Sequence, residues 1–233
     1  LGSPEGGVVT DSLADLMRDV MAEVMAAPLE ERCRQCGCPT MRDSTCADCE
    51  ARTAAMAARV AWAPRRYQWA VDLDAADLPA RVTDARAVDA MRSATDARAP
   101  SIVLLGVAGS GKTSLAVAGA NARYTSTSWR RIAFVDALDL STARARAPLG
   151  DEAPLVASAI SAHLVVLDEL GRGRGGHFDA TGDVIMARHN ADKSTIYTSP
   201  CPTLPDLVAR LNDDGLARRV LAQATVIQLR VTR

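Results

Sequence analysis

Apolar residues recur along this chain at two different spacings, and the change from one to the other predicts the order of its elements. Leu13, Leu16, Met17, Val20, Met21, Val24 and Met25 fall at three- and four-residue steps, with Asp15, Arg18, Asp19 and Glu23 between them. That period predicts an amphipathic helix over 10–27, capped at Thr10 or Asp11 and stopped at Pro28. Its Met-rich face suits either packing on its own protein or docking into a partner's groove. A second helix is expected over 51–63, ending near Pro64. Beyond residue 100 the pattern becomes short strand-like stretches: apolar runs at 102–105, 132–135 and 164–167, a run with hydroxyls at its carboxyl end at 194–199, and 225–230. Stretches of that length predict strands, that at 102–105 buried on both faces and that at 164–167 buried as well. Helical stretches at 114–123 and 206–223 lie between them, so strands alternate with helices around a parallel central sheet in three layers.

The 233 residues suffice for one α/β core with a small appendage. A net charge of −1 gives no global pull toward nucleic acid, so any such contact must rest on local patches. No apolar run approaches the ~18 residues of a membrane span, and no secretory signal is expected. Residues 1–9, with the opening Leu1-Gly-Ser-Pro-Glu-Gly-Gly7, read as a cloning remnant or a processed, flexible end.

Chemistry enters at Gly106-Val107-Ala108-Gly109-Ser110-Gly111-Lys112-Thr113, which fits G-x-x-x-x-G-K-[ST] between a buried strand and a helix. The glycines let backbone N–H groups, Ser114 included, wrap a polyphosphate at a helix N-terminus. Lys112 is placed to reach the β- and γ-phosphates, and the Thr113 hydroxyl to coordinate Mg²⁺. The pattern predicts binding of a nucleoside triphosphate. The run 164–167 ends in Asp168-Glu169. Asp168 is expected to serve Mg²⁺ and Glu169 to polarise an attacking water. The strand 194–199 is expected beside it, bringing Thr198 or Ser199 near the γ-phosphate. A small-molecule kinase fits less well, because a further strand separates the two motifs and an Arg218-Arg219 pair follows late.

Five of the six cysteines fall between Cys33 and Cys49. Two C-x-x-C pairs in so short a span predict structural zinc on Cys33, Cys36, Cys46 and Cys49, with Cys38 as spare or substitute. The expected domains are a module over 10–63 and a nucleotide domain over 64–233.

In order, these pieces resemble the helicase-loader branch of the AAA+ ATPases, the DnaC, DnaI and IstB-like family of bacteria and their phages. The resemblance rests on Arg65-Arg66-Tyr67, the GVAGSGKT loop, 132–140, Val165-Val-Leu-Asp168-Glu169-Leu-Gly171, Arg188-His189-Asn190, 194–199 and 215–220. It implies an AAA+ P-loop ATPase without a C-terminal lid and with ATP held between neighbouring subunits. It also implies an arginine finger at Arg218 or Arg219, with Arg233 as a stand-in for a lid arginine. The implied activity is ATP-dependent loading of a replicative hexameric helicase onto single-stranded DNA in the bacterial cytoplasm. The N-terminal module would grip the helicase, and loop residues Arg144, Arg146, Arg172 and Arg174, near His177 and Phe178, would meet DNA. The IstB branch implies instead an ATP-dependent regulator of a transposase. A nucleotide-gated adaptor with little hydrolysis is a third reading, since Pro200 stands where loaders usually carry Asn.

Overall fold

A computed structural model of the chain describes residues 46–70, 72–75, 77–126, 131–172 and 179–230. The expected helix over 10–27, Cys33, Cys36, Cys38, Arg174, His177, Phe178 and Arg233 lie outside them. The chain divides into two compact units, Leu1–Met56 and Ala57–Arg233. The first described element, α1 (Ala47–Val60), begins four residues before the sequence pattern suggests. Asp48 and Glu50 in its first turn favour that earlier start, because acids complement the positive end of a helix. Cys49 is thereby buried in the first turn, with Cys46 half-buried just ahead.

The second unit is built on five parallel strands: β1 (Ser101–Leu105), β2 (Ile132–Asp136), β3 (Leu164–Asp168), β4 (Ser194–Ser199) and β5 (Ala224–Gln228). Their order across the sheet is β2-β3-β4-β1-β5. The three central strands are buried almost throughout, while β2 and β5 at the edges are part exposed. Continuous apolar runs therefore mark the centre of the sheet, as expected where both faces are covered.

Alternation along each strand divides the core in two. Ile102, Leu104, Leu164, Val166 and Ile196 face one apolar layer with α2 (Leu78–Arg81), α3 (Ala85–Asp96) and α4 (Lys112–Ser126). Val103, Leu105, Val165, Leu167 and Tyr197 face the other. That second layer holds α5 (Ala137–Arg146), α6 (Pro154–Ser161), α7 (Asp179–Asn190), α8 (Leu204–Leu211) and α9 (Asp214–Leu221). The result is the three-layer α/β fold of a P-loop NTPase. Among the described residues, no helix is long and apolar enough to cross a membrane.

One buried cation closes the second layer. Arg188 of α7 donates to the carbonyls of Ala159 (2.7 Å), Ala162 (2.9 Å) and Ser194 and to the Thr195 hydroxyl (2.9 Å). Two of those carbonyls stand at the end of α6, where helix carbonyls lack intrahelical partners. Burial pushes this guanidinium down to about 10.

Candidate functional site

The carboxyl end of β1 runs straight into the glycine-rich loop, and α4 starts at Lys112. Gly109 and Gly111 adopt φ of +80° and +89°, a region open to glycine and strained for other residues. Gly111 also permits a close approach: a Cβ there would stand 2.4 Å from the Arg81 carbonyl oxygen. The loop and the chain around Arg81 and Val82 are thus packed backbone to backbone.

Period-two alternation then sets the partners of the phosphate loop. Asp168 follows Leu164 and Val166 on the α4 face of β3, and Thr198 follows Ile196 on the same face of β4. The Thr113 hydroxyl donates to Asp168 Oδ1 at 2.9 Å, and the Thr198 hydroxyl donates to the same oxygen at 2.6 Å. Thr198 Oγ1 also accepts the Glu169 N–H at 3.0 Å. Ser199, one residue on, belongs to the opposite face. Its buried hydroxyl donates to the Leu170 carbonyl at 2.7 Å, so of the two hydroxyls Thr198 is the one beside the carboxylate.

Beyond Asp168 the chain turns sharply. Glu169 has φ of +60° and Gly171 of +86°. The turn is held by Leu170 N–H donating to the Thr198 carbonyl (2.7 Å) and by Arg210 Nε of α8 donating to the Gly171 carbonyl (2.6 Å). A left-handed glutamate costs backbone strain, and strain of that kind is kept where a side chain must be aimed.

A cavity of about 400 Å³ joins these pieces. Gly109, Gly111, Lys112, Thr113, Ser114 and Glu169 line it, together with Tyr67, Ala80 and Arg81 from the segment ahead of β1. The sequence placed Tyr67 only within a motif and did not single out Ala80 or Arg81. The available signal was aromatic clustering: Trp62, Tyr67 and Trp69 fall within eight residues of a chain that is only 3% aromatic. Tyr67 packs its ring 6.0 Å from that of Phe134, and the Arg66 guanidinium lies 4.8 Å over it. The Arg81 guanidinium lies 4.7 Å over Trp69.

Electrostatics follow from burial. Lys112 is buried, with its ammonium donating to the Val107 carbonyl at 2.9 Å. Burial lowers it from the ordinary lysine range, and the charges of Glu169 and Asp168 work the other way. Burial raises the Asp168 carboxyl above the ordinary carboxylate range, resisted by the hydrogen bonds from Thr198 and Thr113. Asp136, its register partner on β2, adds to the rise.

These donors fit a nucleoside triphosphate with its metal. Gly111, Lys112, Thr113 and Ser114 line the cavity at the start of α4, where a cation and the first backbone N–H groups of a helix suit phosphate oxygens. Thr113 and Asp168 offer the hard oxygens that suit Mg²⁺, which when bound would neutralise phosphate charge. Glu169 reaches the cavity as the carboxylate able to accept a proton from water.

The remaining sequence candidates lie elsewhere. Arg218 and Arg219 stand on α9 beside His189 and Asn190, outside the residues lining this cavity. Arg218 Nε donates to the Asp214 carbonyl at 3.2 Å and Arg219 Nη1 to the Gly215 carbonyl at 3.0 Å. Arg144, expected to be available to DNA, is instead engaged by Glu152 and Asp183, each at 2.6 Å. Its partners lie 8 and 39 residues away, which local reading does not pair. Arg146 is exposed, and Arg172 is exposed with its guanidinium 3.9 Å from Glu169. Among the described residues, no three His, Cys, Asp or Glu side chains are grouped as metal ligands.

The sequence model of the IstB-like ATP binding protein family matches residues 40–229. No curated protein matches the chain in sequence. Among solved structures, the DnaC helicase loader is 26% identical, with a TM-score of 0.60, covering 72% of this chain and 100% of that one. DnaI is 19% identical, with a TM-score of 0.51, covering 63% and 84%. The replication initiator DnaA bound to AMPPCP and single-stranded DNA is 18% identical, with a TM-score of 0.52, covering 63% and 46%. The last two establish likeness of fold alone.

Proposed function

Because this chain belongs to the family of IstB-like ATP-binding proteins, we propose that it is an ATPase that loads a replicative hexameric DNA helicase onto single-stranded DNA. The observation that carries the loader reading is the likeness to the DnaC helicase loader, which extends over that protein's whole solved chain. The hydrolytic part is supported by the cavity itself. Lys112 would hold the phosphates, Thr113 and Asp168 the Mg²⁺, and Glu169 would position water, with Thr198 orienting both carboxylate and turn.

Arg218 or Arg219 would complete a neighbouring subunit's site, since both lie on a part-exposed face of α9 away from their own cavity. Single-stranded DNA would meet Arg146, Arg172 and Arg174 rather than Arg144, whose charge is already paired. Cys33, Cys36, Cys46 and Cys49 would hold zinc in the helicase-gripping module, with Cys38 as substitute. Cys46 and Cys49 fit that role in standing three residues apart at the start of α1, a spacing that puts two thiolates within reach of one ion.

The family match itself favours a second reading, a regulator of a transposase. Light scattering of the protein mixed with the replicative helicase, with and without ATP, separates the two. A defined complex, lost in Cys33→Ser with Cys36→Ser, is the expected result. No complex under any nucleotide condition refutes the loader and leaves the transposase as partner. Lys112→Ala should abolish ATP binding, and wild-type affinity in that variant would overturn the assignment of the phosphate loop.

A further inference from the structure

Residues 115–122 of α4 form an apolar run in which Leu115, Ala116, Val117, Ala118 and Ala120 are fully buried. Asn121 interrupts this run and is itself only 1% exposed. A buried amide is costly unless both its ends are hydrogen-bonded, and here both are. Its Oδ1 accepts from Trp62 Nε1 at 3.0 Å, and its Nδ2 donates to the Ala70 carbonyl at 3.1 Å. The amide orientation follows from the partners, because an indole N–H only donates and a carbonyl only accepts.

The two partners bracket one short segment, residues 62–70. Within it the chain folds on itself: Tyr67 N–H donates to the Pro64 carbonyl (2.8 Å), Gln68 Nε2 to the Ala63 carbonyl (2.9 Å), and Trp69 Nε1 to the Arg66 carbonyl (3.0 Å). The segment is thus a stiff strap fastened at each end to α4, and at its middle Tyr67 forms part of the cavity wall. The same helix begins at Lys112, on the phosphate loop. Nine residues of helix, about 14 Å, separate the phosphate grip from the strap's fastening.

We propose that Asn121 is a positioning residue for nucleoside recognition: it holds the strap so that Tyr67 meets the base or ribose of the bound nucleotide. This rests on the nucleotide-binding reading above. Asn121 does not line the cavity; it acts through the strap and sets the spacing between the nucleoside end and the triphosphate end of the site. Its loss therefore weakens the nucleoside contribution and leaves the triphosphate contribution in place. A purely structural asparagine would, when removed, weaken both alike.

The test is titration calorimetry on the full chain with Mg²⁺, comparing ATP with inorganic tripolyphosphate. Asn121→Leu is expected to weaken ATP roughly tenfold while tripolyphosphate stays within about twofold of wild type. Trp62→Phe removes one donor and keeps an aromatic ring, though a smaller one, so it should shift the ATP-to-tripolyphosphate ratio the same way by less. It also serves if the leucine variant fails to fold. Equal weakening of both ligands, an unchanged ratio in both variants, or a wild type that binds the two ligands alike overturns the proposal. A wild type that binds neither ligand refutes nucleotide binding itself, a separate result.

Discussion

Gly109 and Gly111 both have positive φ in the phosphate loop, yet their surroundings predict different costs for the same substitution. At Gly109 a Cβ would meet nothing within 4 Å, so Gly109→Ala bears only the left-handed backbone strain, about 1–2 kcal/mol. At Gly111 the Cβ would stand 2.4 Å from the Arg81 carbonyl oxygen, 2.8 Å from Val82 Cγ2 and 3.1 Å from Val82 Cα. Two of those three atoms are backbone, so relief requires the chain at 81–82 to move. Overpacking of this kind adds about 1–3 kcal/mol. Both variants regain a similar amount, about 0.4–1 kcal/mol, by restricting the unfolded chain, so their difference is the informative quantity. At about 2–4 °C per kcal/mol for a unit of this size, Gly111→Ala should melt roughly 2–12 °C below Gly109→Ala. Thermal unfolding without nucleotide keeps ligand effects out of the comparison. Equal melting temperatures, or a lower one for Gly109→Ala, would refute the packing of residues 81–82 against the loop.

Three further outcomes are expected. Glu169→Gln should keep nucleotide affinity and lower turnover by roughly 10²–10⁴, measured as phosphate release; unchanged turnover would mean that another group positions the water. Asp168 has a folded-state pKa raised above its unfolded value, so its stability contribution is fully present below the unfolded pKa and lost as pH rises through the folded one. Asp168→Asn should therefore melt above wild type near neutral pH without nucleotide or Mg²⁺, with the gain shrinking toward pH ~4. A gain independent of pH would contradict the electrostatic cause. Arg188→Met leaves several buried carbonyls of α6 and β4 without donors and should lose at least about 3 kcal/mol by denaturant unfolding. A loss under about 1 kcal/mol would show that those carbonyls find other partners.

How much of this was legible in the sequence depends on the distance over which each feature is decided. The phosphate loop, the Asp168-Glu169 turn and the buried strands are written in contiguous residues. Backbone geometry there imposes one spacing for a polyphosphate cradle and one period for a strand. Placing the 194–199 strand beside β3 was also within reach, because two motifs separated by a further strand leave few ways to order a parallel sheet. Even the division of labour between Thr198 and Ser199 is implicit in period two, though which of them faces Asp168 is fixed only once β3 and β4 are in register.

The pairings that position the site were not legible. Asn121 reaches Trp62 and Ala70, 59 and 51 residues away, and Arg144 reaches Asp183 across 39. Arg188 entered the sequence reading only as part of the Arg188-His189-Asn190 stretch and is a buried clamp on α6. An isolated Asn or Arg carries no period, and its role is set by whichever polar groups close packing leaves beside it without a partner. The sequence by itself determined the chemistry of the phosphate end, because that chemistry is local. The tertiary structure decided which distant side chains brace it, because a buried polar group must find its partner wherever the fold has put one.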